Sequence, residues 1–285
     1  MPRLMIFNAT PDAAFKALSA SAPGSESNEE MFSASVGMFQ PDAEFFTVNV
    51  ADGERLPQGM TIEDFDGVLI TGSPLNVYKD VPEVRRQIEL AREIFQRGVP
   101  SFGCCWGIQL MCAAIGGTVH LNPRGREIGV ARAITLSDEG RDHPLYRDKG
   151  SGFDALCSHE DEVAALPACG RRLAGNDVSV IQAAELAEGE NSFWGVQYHP
   201  EMSFNLVAAL IELRAGRHLA EGLAKDPAEV AEIVADFRAV HLDPTRKDLA
   251  WRYGLTANVL DPRKRRIEFR NWLEAKVQPR AAQRG

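Results

Sequence analysis

Apolar and polar residues are distributed along the first hundred positions in a way that separates short strands from longer helices. Four short β-rich apolar runs predict strands: RLMIFNA, EFFTVNV, GVLITG and PSFGC. Between the third and fourth runs, VPEVRRQIELAREIFQRG carries apolar residues at helical spacing from Val84 to Ile94, and Gly98 closes its end. Strands that alternate with helices predict a mostly parallel sheet covered on both faces. We therefore expect an α/β, doubly wound fold.

The pattern changes over about residues 117–197, where the β-like runs become shorter and Gly, Asp and Asn interrupt them. TVHLN, GVARAITL, SVIQAAEL and FWGVQY predict strands that extend the sheet edge or form a hairpin subsheet. A helix is expected over about 203–217, and three further helical pieces follow. We expect a main domain over 1–217, a helical C-terminal extension over 218–285, and fraying of the last residues, QPRAAQRG.

Charge and apolar content narrow the classes of partner. The chain has 31 Lys and Arg residues and 40 Asp and Glu residues, which gives a formal net charge of -9. Neither nucleic acid nor a membrane is therefore an expected partner. No apolar run approaches the roughly 20 residues that span a bilayer, and MPRLMIFNAT lacks the pattern of a secretory signal. A cytoplasmic location is expected, with the five cysteines as free thiols. The basic run RKRR at 263–266 precedes Glu268 and Glu274, and we expect a solvated helix start there.

The stretch SFGCCWGIQLMCAAIGG places two adjacent cysteines between an apolar strand and a predicted helix. A nucleophile in such a turn lies at the carboxyl edge of the sheet. The partial positive charge of the helix N-terminus favours a thiolate there, and backbone N–H groups of the turn face the position of an oxyanion. Cys105 is central in G-x-C-x-G, whereas Cys104 is expected to end the strand with its side chain in the core. The alternative is a pair of core cysteines beside a glycine turn.

A partner for the sulfur is available in FWGVQYHPE. His199 and Glu201 are two positions apart, which places them on the same side of an extended segment. His199 is then suited to exchange a proton with Cys105, while Glu201 orients the imidazole. The acid follows the histidine by two residues, unlike the order nucleophile, acid, histidine of an α/β-hydrolase acting on esters or lactones. The pattern predicts nucleophilic catalysis by a cysteine triad.

These motifs resemble those of class I glutamine amidotransferases, especially stand-alone domains similar to the glutaminase part of GMP synthase. GCCWGIQ is similar to the family motif G-x-C-x-G-x-Q, and GVQYHPE is similar to G-x-Q-x-H-P-E. The resemblance covers about residues 3–215 and implies the flavodoxin-like fold of that family. It implies Cys105 as the nucleophile, His199 as the base, Glu201 as the orienting carboxylate, and a substrate contact at Gln109.

Two loops extend the resemblance. ITGSPLNVY resembles the family's oxyanion loop, with a serine in place of the second glycine. It implies an oxyanion hole formed by the backbone N–H of Gly72 or Ser73, together with that of Trp106. CSHEDEV resembles the loop that helps to hold the substrate's α-amino and α-carboxylate groups. The implied substrate-binding residues in that loop are Ser158, His159 and Asp161.

The resemblance also implies a reaction. It is cysteine-dependent hydrolysis of a γ-glutamyl amide through a γ-glutamyl thioester, which releases glutamate with ammonia or an amine and requires no cofactor. The chain carries no phosphate-binding motif such as G-x-x-x-x-G-K-[ST]. A free-standing hydrolase of small γ-glutamyl amides or peptides is favoured over a glutaminase subunit that feeds a separate synthetase, and over a catalytically silent regulatory module. Assembly into a homo-oligomer stays open.

A zinc site is the remaining alternative for the cysteines. Its ligands would be Cys104, Cys105, Cys112 and His120. The absence of a paired C-x-x-C, and the position of Cys112 inside an apolar helix pattern, disfavour it. We therefore expect no metal.

Overall fold

Strands and helices alternate along the first part of the chain, and helices fill its last quarter. The computed structural model describes residues 1–22 and 25–284. The strands are β1 (Arg3–Phe7), β2 (Glu44–Val48), β3 (Gly67–Ile70), β4 (Ser101–Cys104), β5 (Thr118–Leu121), β6 (Glu127–Leu136), β7 (Gly152–His159), β8 (Asp161–Ala165), β9 (Gly170–Gly175), β10 (Ala183–Glu188) and β11 (Asn191–Val196).

The helices are α1 (Asp12–Ser21), α2 (Asn28–Gly37), α3 (Pro82–Gln96), α4 (Trp106–Ala114), α5 (Asp138–Arg141), α6 (Phe204–Leu213), α7 (Ala215–Ala220), α8 (Pro227–Leu242), α9 (Lys247–Arg252), α10 (Ala257–Leu260), α11 (Pro262–Arg265), α12 (Ile267–Trp272) and α13 (Gln278–Arg284). A π-helical turn, Leu273–Val277, joins α12 to α13.

The main sheet combines a parallel half with an antiparallel half. Within the described residues it has nine strands, in the order β2-β1-β3-β4-β11-β10-β9-β6-β7. The neighbours from β2 to β11 are parallel, and the neighbours from β11 to β7 are antiparallel. Strands β5 and β8 form a separate two-stranded sheet. The predicted α/β class is confirmed, and the middle segment both extends the sheet and forms a smaller one.

Helices cover both faces of the sheet because side chains alternate along its central strands. Leu4 and Ile6 of β1 point into one core, and Met5 and Phe7 point into the other. Helices α2, α6 and α8 pack into the first core, whereas α3 and α4 pack into the second. This arrangement buries β1 on both sides, as expected for a parallel strand between two helix layers.

The C-terminal helices belong to the first of these cores. Phe269 and Trp272 pack on Phe102 of β4, with ring centroids 5.0 Å and 6.0 Å apart. A Cβ atom at Gly67 would lie 2.7 Å from the Trp272 indole, so the glycine lets the ring lie directly on β3. The division of the chain at residue 217 stays a prediction, and that residue lies inside α7.

Two predictions about helices were wrong in detail. The helix expected over 203–217 is interrupted at Arg214, where α6 ends and α7 begins. Of the residues QPRAAQRG, expected to fray, Gln278–Arg284 form α13, and Gly285 lies outside the described residues. Their order comes from distant partners: Arg280 donates a hydrogen bond of 3.1 Å to the carbonyl oxygen of Phe65, and Arg284 pairs with Asp66 at 2.7 Å.

The solvated helix start expected at 263–266 is also wrong for two of its four residues. Arg265 and Arg266 are buried, with 6% and 9% of their surface exposed. Arg265 donates to the carbonyl oxygen of Val259, and Nε of Arg266 donates to Oγ of Ser35 at 2.8 Å. These hydrogen bonds partly offset the cost of burying the two guanidinium groups, although Nε of Arg265 has no hydrogen-bond partner among the described residues.

Candidate active site

Cys105 lies in the tight turn between β4 and α4. Its backbone has φ 51° and ψ −99°, a strained conformation for a residue with a side chain. Its N–H donates to the carbonyl oxygen of Val196 at 2.7 Å. A Cβ atom at Gly103 would lie 2.8 Å from the backbone of Gly107, and one at Gly107 would lie 2.8 Å from the carbonyl oxygen of Ile70. The two glycines thus permit the close approach of strand and helix that places the sulfur at the sheet edge, where it lines a cavity.

Cys104 has a different environment, although it is the adjacent residue. It ends β4 with its side chain fully buried, as the sequence predicts. Burial raises the pKa of the Cys104 thiol well above its usual value, and the negative charge of Glu201 raises it further. A thiol in such surroundings stays protonated at neutral pH and is a poor nucleophile.

His199 and Glu201 follow β11 and meet Cys105 at the same cavity. Nδ1 of His199 lies 2.6 Å from Oε1 of Glu201, and both side chains are buried. Burial by itself would lower the pKa of His199, but the negative charges of Glu201 and Cys105 oppose it and raise this pKa to about 10. The imidazole is therefore charged at neutral pH. The structure brings the three predicted triad side chains together.

The predicted oxyanion loop passes beside the imidazole. A Cβ atom at Gly72 would lie 3.0 Å from Cε1 of His199. The carbonyl oxygen of Gly72 accepts a hydrogen bond of 2.9 Å from Oγ1 of Thr10, and because the peptide is planar and trans, the N–H of Ser73 points the opposite way. Trp106 is the first residue of α4, so its N–H has no acceptor within the helix. Its indole is buried in the core.

The four predicted substrate-binding residues line one polar cavity of about 220 Å³ that also reaches Cys105. Sγ of Cys105 lies 3.9 Å from the carbonyl oxygen of Ser158. Nε2 of Gln109 donates a hydrogen bond of 3.1 Å to the carbonyl oxygen of Asp161. This bond ties helix α4, which begins at the nucleophile turn, to the first residue of β8. The segment CSHEDEV, expected to be a loop, forms the end of β7 and the start of β8.

His159 and Asp161 are held by different partners in this polar cavity. Nε2 of His159 lies 3.0 Å from Oε2 of Glu127, and Nδ1 lies 3.1 Å from the carbonyl oxygen of Asp161. Both ring nitrogens therefore contact protein atoms. The Asp161 carboxylate accepts hydrogen bonds from Asn76 at 2.8 Å and Tyr78 at 3.1 Å. Burial raises the pKa of Asp161.

Three arginines that sequence reasoning missed, Arg126, Arg214 and Arg217, line the same polar cavity. Arg126 forms ion pairs with Glu160 and, at 3.0 Å, with Glu221. Arg214 donates a hydrogen bond of 3.0 Å to Oγ of Ser158, and across the described residues no carboxylate lies within the 4.0 Å of an ion pair with it. Burial lowers the pKa of Arg214, and the charge of Arg126 lowers it further. For Arg214, the available signal in the sequence is a basic residue at the end of the mostly apolar helix pattern FNLVAALIEL.

The C-terminal helices also reach the residues that carry the imidazole. Nη2 of Arg266 donates a hydrogen bond of 3.2 Å to the carbonyl oxygen of Glu201. Glu268 is fully buried, accepts a hydrogen bond of 2.7 Å from the hydroxyl of Tyr198, and lies 3.0 Å from Nζ of Lys149. The segment from 198 to 201 is thus held from behind by the last quarter of the chain.

Metal-binding clusters and membrane-spanning helices are both absent from the described residues. Across 1–22 and 25–284, no group of three or more His, Cys, Asp or Glu side chains is arranged to hold a metal ion. Within the same ranges, no helix has the length and apolar character needed to cross a bilayer. Cys112, one of the residues considered for zinc, belongs to α4 and has its side chain buried in the second core.

Residues 27–209 match the family described as glutamine amidotransferase class-I. The chain therefore belongs to the class I glutamine amidotransferases and is an enzyme of their amide-hydrolysing type. Among its relatives, a gamma-glutamyl-L-1-hydroxyisopropylamide hydrolase from a Pseudomonas species is 35% identical over 223 residues. The match covers 76% of this chain and 74% of that protein.

More distant relatives and solved structures agree with this assignment. A GMP synthase from Azoarcus sp. (strain BH72) is 33% identical over 151 residues, which cover 51% of this chain but 27% of that longer protein. A glutamine amidotransferase from Thermotoga maritima has a TM-score of 0.65 at 17% identity, with 97% of this chain and 98% of that one covered. A glutamine amidotransferase from Methylobacillus flagellatus has a TM-score of 0.62 at 20% identity, with 96% and 94% covered. The fold is shared over nearly the whole chain.

Proposed function

We propose that this enzyme hydrolyses γ-glutamyl amides through a γ-glutamyl thioester on Cys105. The observation that carries the proposal is that Cys105 meets the hydrogen-bonded pair His199 and Glu201 at one cavity, beside a polar cavity that contains Arg214. A sulfur, a charged imidazole and an orienting carboxylate together provide a nucleophile and a proton carrier.

The first half of the reaction forms the thioester. The Cys105 thiolate attacks the γ-carbonyl carbon, a C–S bond forms, and the carbonyl oxygen becomes an oxyanion. The imidazolium of His199 then gives its proton to the amide nitrogen, the C–N bond breaks, and the neutral amine or ammonia leaves. The γ-glutamyl group stays on the sulfur, and His199 is left neutral.

The second half returns the enzyme to its starting state. Neutral His199 takes a proton from a water molecule as the water oxygen attacks the thioester carbon. The C–S bond breaks, glutamate leaves, and the thiolate and imidazolium are restored. Glu201 keeps the ring oriented and stabilises its positive charge in both halves. Backbone N–H groups at Trp106 and at Ser73 or Gly72 stabilise the oxyanion.

The polar cavity is assigned to the glutamyl group. Arg214 provides the cation for the α-carboxylate, and the Asp161 carboxylate provides the partner for the α-ammonium. The hydrogen bond from Gln109 to the backbone of Asp161 supports a positioning role for Gln109, which holds the start of β8 in place. The ring nitrogens of His159 already contact Glu127 and the carbonyl oxygen of Asp161, so the ring also holds this segment in place. His159 then contacts the substrate through its backbone, next to Ser158.

The test is release of glutamate by the isolated chain from glutamine and from N-substituted γ-glutamyl amides, measured with a coupled glutamate assay. Wild type should turn over at least one of these compounds, and Cys105→Ala should abolish that turnover. The matched control is Cys104→Ala, which removes the adjacent thiol and should leave turnover close to wild type. Unchanged turnover in Cys105→Ala would remove this residue from the mechanism.

Ammonia delivery to a separate synthetase is the second candidate function. It is supported by the similarity to GMP synthase, although that similarity covers 27% of the relative. Glutamine as the preferred substrate, with activity that rises on addition of a synthetase, would favour this candidate over a free-standing hydrolase. Strong turnover of substituted amides by the chain alone would favour the hydrolase.

A further inference from the structure

A second cavity, of about 320 Å³, also ends at Cys105 and His199, but its lining differs from that of the polar cavity. Its wall comes from α1, α2 and α6 and is mostly hydrophobic. The apolar side chains that form most of this wall are Ala14, Phe15, Leu18, Met31, Leu206 and Leu210. Such a surface next to a nucleophile is suited to hold part of a substrate and to exclude water from it.

We propose that this cavity, here called the amine cavity, binds the leaving amine and selects amines with an uncharged apolar substituent. The proposal rests on the γ-glutamyl amide hydrolysis proposed above. If the glutamyl group occupies the polar cavity, the scissile amide lies at Cys105, where the two cavities meet. The substituent on the amide nitrogen then extends into the amine cavity. Ammonia, the leaving group of glutamine, would leave this apolar wall without a contact.

The charges around the amine cavity disfavour an amino acid as the leaving group. Glu26 and Glu201 line it, and the two cations of its described lining are Arg214 and the His199 imidazolium, which pairs with Glu201. Arg214 also lines the polar cavity, where it is assigned to the α-carboxylate of the glutamyl group. A second carboxylate, as in a γ-glutamyl peptide, would therefore meet the negative charge of Glu26 without a cation of its own. Selection against such substrates follows from this repulsion.

A matched pair of substrates isolates these two effects. The leaving amine of γ-glutamyl-3-methylbutylamide differs from that of γ-glutamyl-leucine by the carboxylate alone, and glutamine supplies the case without a substituent. With the wild-type chain, we expect kcat/KM for the 3-methylbutylamide to exceed the values for both other compounds by about tenfold or more.

A charged substitution in the wall should change this order. Leu18 is partly buried on α1 and lines the amine cavity. Leu18→Lys adds a cation there, so the ratio of kcat/KM for γ-glutamyl-leucine to that for the 3-methylbutylamide should rise about tenfold. The matched control is Leu242→Lys at the end of α8, where the leucine is 83% exposed and outside the cavity. Its ratio should equal that of wild type.

A second variant covers the case in which Leu18→Lys does not fold, as judged by its thermal unfolding. Ala14→Phe narrows the same cavity without a new charge, and it should lower kcat/KM for the 3-methylbutylamide relative to that for glutamine. Preference of the wild-type chain for glutamine or γ-glutamyl-leucine would overturn the proposal that the amine cavity selects apolar amines. The proposed hydrolysis of γ-glutamyl amides would still stand. Absence of glutamate release from all three compounds would overturn both proposals.

Discussion

Nη2 of Arg266, between α11 and α12, donates a hydrogen bond of 3.2 Å to the carbonyl oxygen of Glu201. Glu201 in turn holds Nδ1 of His199 at 2.6 Å. A residue of the last quarter of the chain is therefore one hydrogen bond away from the residue that orients the imidazole. Arg266 touches neither the sulfur nor the polar cavity, and we regard it as a positioning residue.

Arg266→Ala should lower kcat by about ten- to a hundredfold, because a small displacement of Glu201 misplaces the imidazole. KM should change little, since the polar cavity is untouched. Arg266→Lys keeps a donor and should recover part of kcat. Steady-state kinetics and thermal unfolding of both variants provide the measurement, with exposed Arg263→Ala as the control. Equal changes in kcat and KM, or no recovery with lysine, would contradict a positioning role.

Glu201→Gln should change the pH dependence of activity. The charge of Glu201 counteracts burial and is the largest contribution that raises the pKa of His199 to about 10. Loss of that charge should lower this pKa, so the alkaline limb of the kcat/KM profile should move to lower pH. A limb at the wild-type position would mean that another group controls it.

The pairing of His199 with Glu201 should also make the free energy of unfolding depend on pH. The pKa of His199 in the folded state lies above its ordinary value of 6.5. The contribution of its protonation to the free energy of unfolding is therefore complete below about pH 6.5 and is lost as pH rises toward 10. Denaturant unfolding of wild type and Glu201→Gln across this window should show a smaller decline in the variant.

Arg214→Gln should weaken recognition of the α-carboxylate. Hydrogen bonds to a charged group contribute about 1.5–3 kcal/mol, so kcat/KM for a γ-glutamyl amide should fall by about ten- to a hundredfold. The loss should disappear with a 4-aminobutanoyl amide, which has no α-carboxylate. Arg238→Gln on α8, where the arginine side chain is 40% exposed, serves as the control. An equal loss on both substrates would assign Arg214 to structure or to the thiolate.

Glu268→Gln should destabilise the fold. Glu268 and Lys149 form an ion pair of 3.0 Å with side chains 0% and 1% exposed, and the change leaves the Lys149 ammonium without its counter-charge. Removal of one member of a buried pair costs about 3–5 kcal/mol. Glu212→Gln, which breaks an exposed pair with Arg238, should cost less than about 1 kcal/mol. Urea unfolding measures the free energy of unfolding of the two variants. Similar small losses of that free energy in both would contradict a stabilising role for the buried pair.

The local part of the active site could be predicted from sequence because short motifs encode it. The glycines around Cys105 permit its turn, and the two-residue spacing of His199 and Glu201 brings their side chains into contact. Strands β1 to β4 and helix α3 are also clear, since their apolar patterns match their burial on one or both sides. In these cases the neighbouring residues determine the structure.

The rest depends on partners far away in the chain. Strand β9 has the sequence GRRLAG and gives no apolar alternation, because its charged residues face solvent at the antiparallel side of the sheet. The burial of Arg266 depends on Ser35 and Glu201, and the ordering of α13 depends on Asp66. Helix α2 was missed, although its capping box between Ser27 and Glu30 is a readable local signal.

The most direct test of the account is to find the covalent intermediate. The chain is mixed with a γ-glutamyl amide, quenched in acid during turnover, digested and mapped by mass spectrometry, in wild type and in Cys104→Ala to separate the adjacent thiols. The account predicts a γ-glutamyl group on Cys105 in both proteins and none in Cys105→Ala. A γ-glutamyl group on any other residue, or turnover by Cys105→Ala, would contradict it.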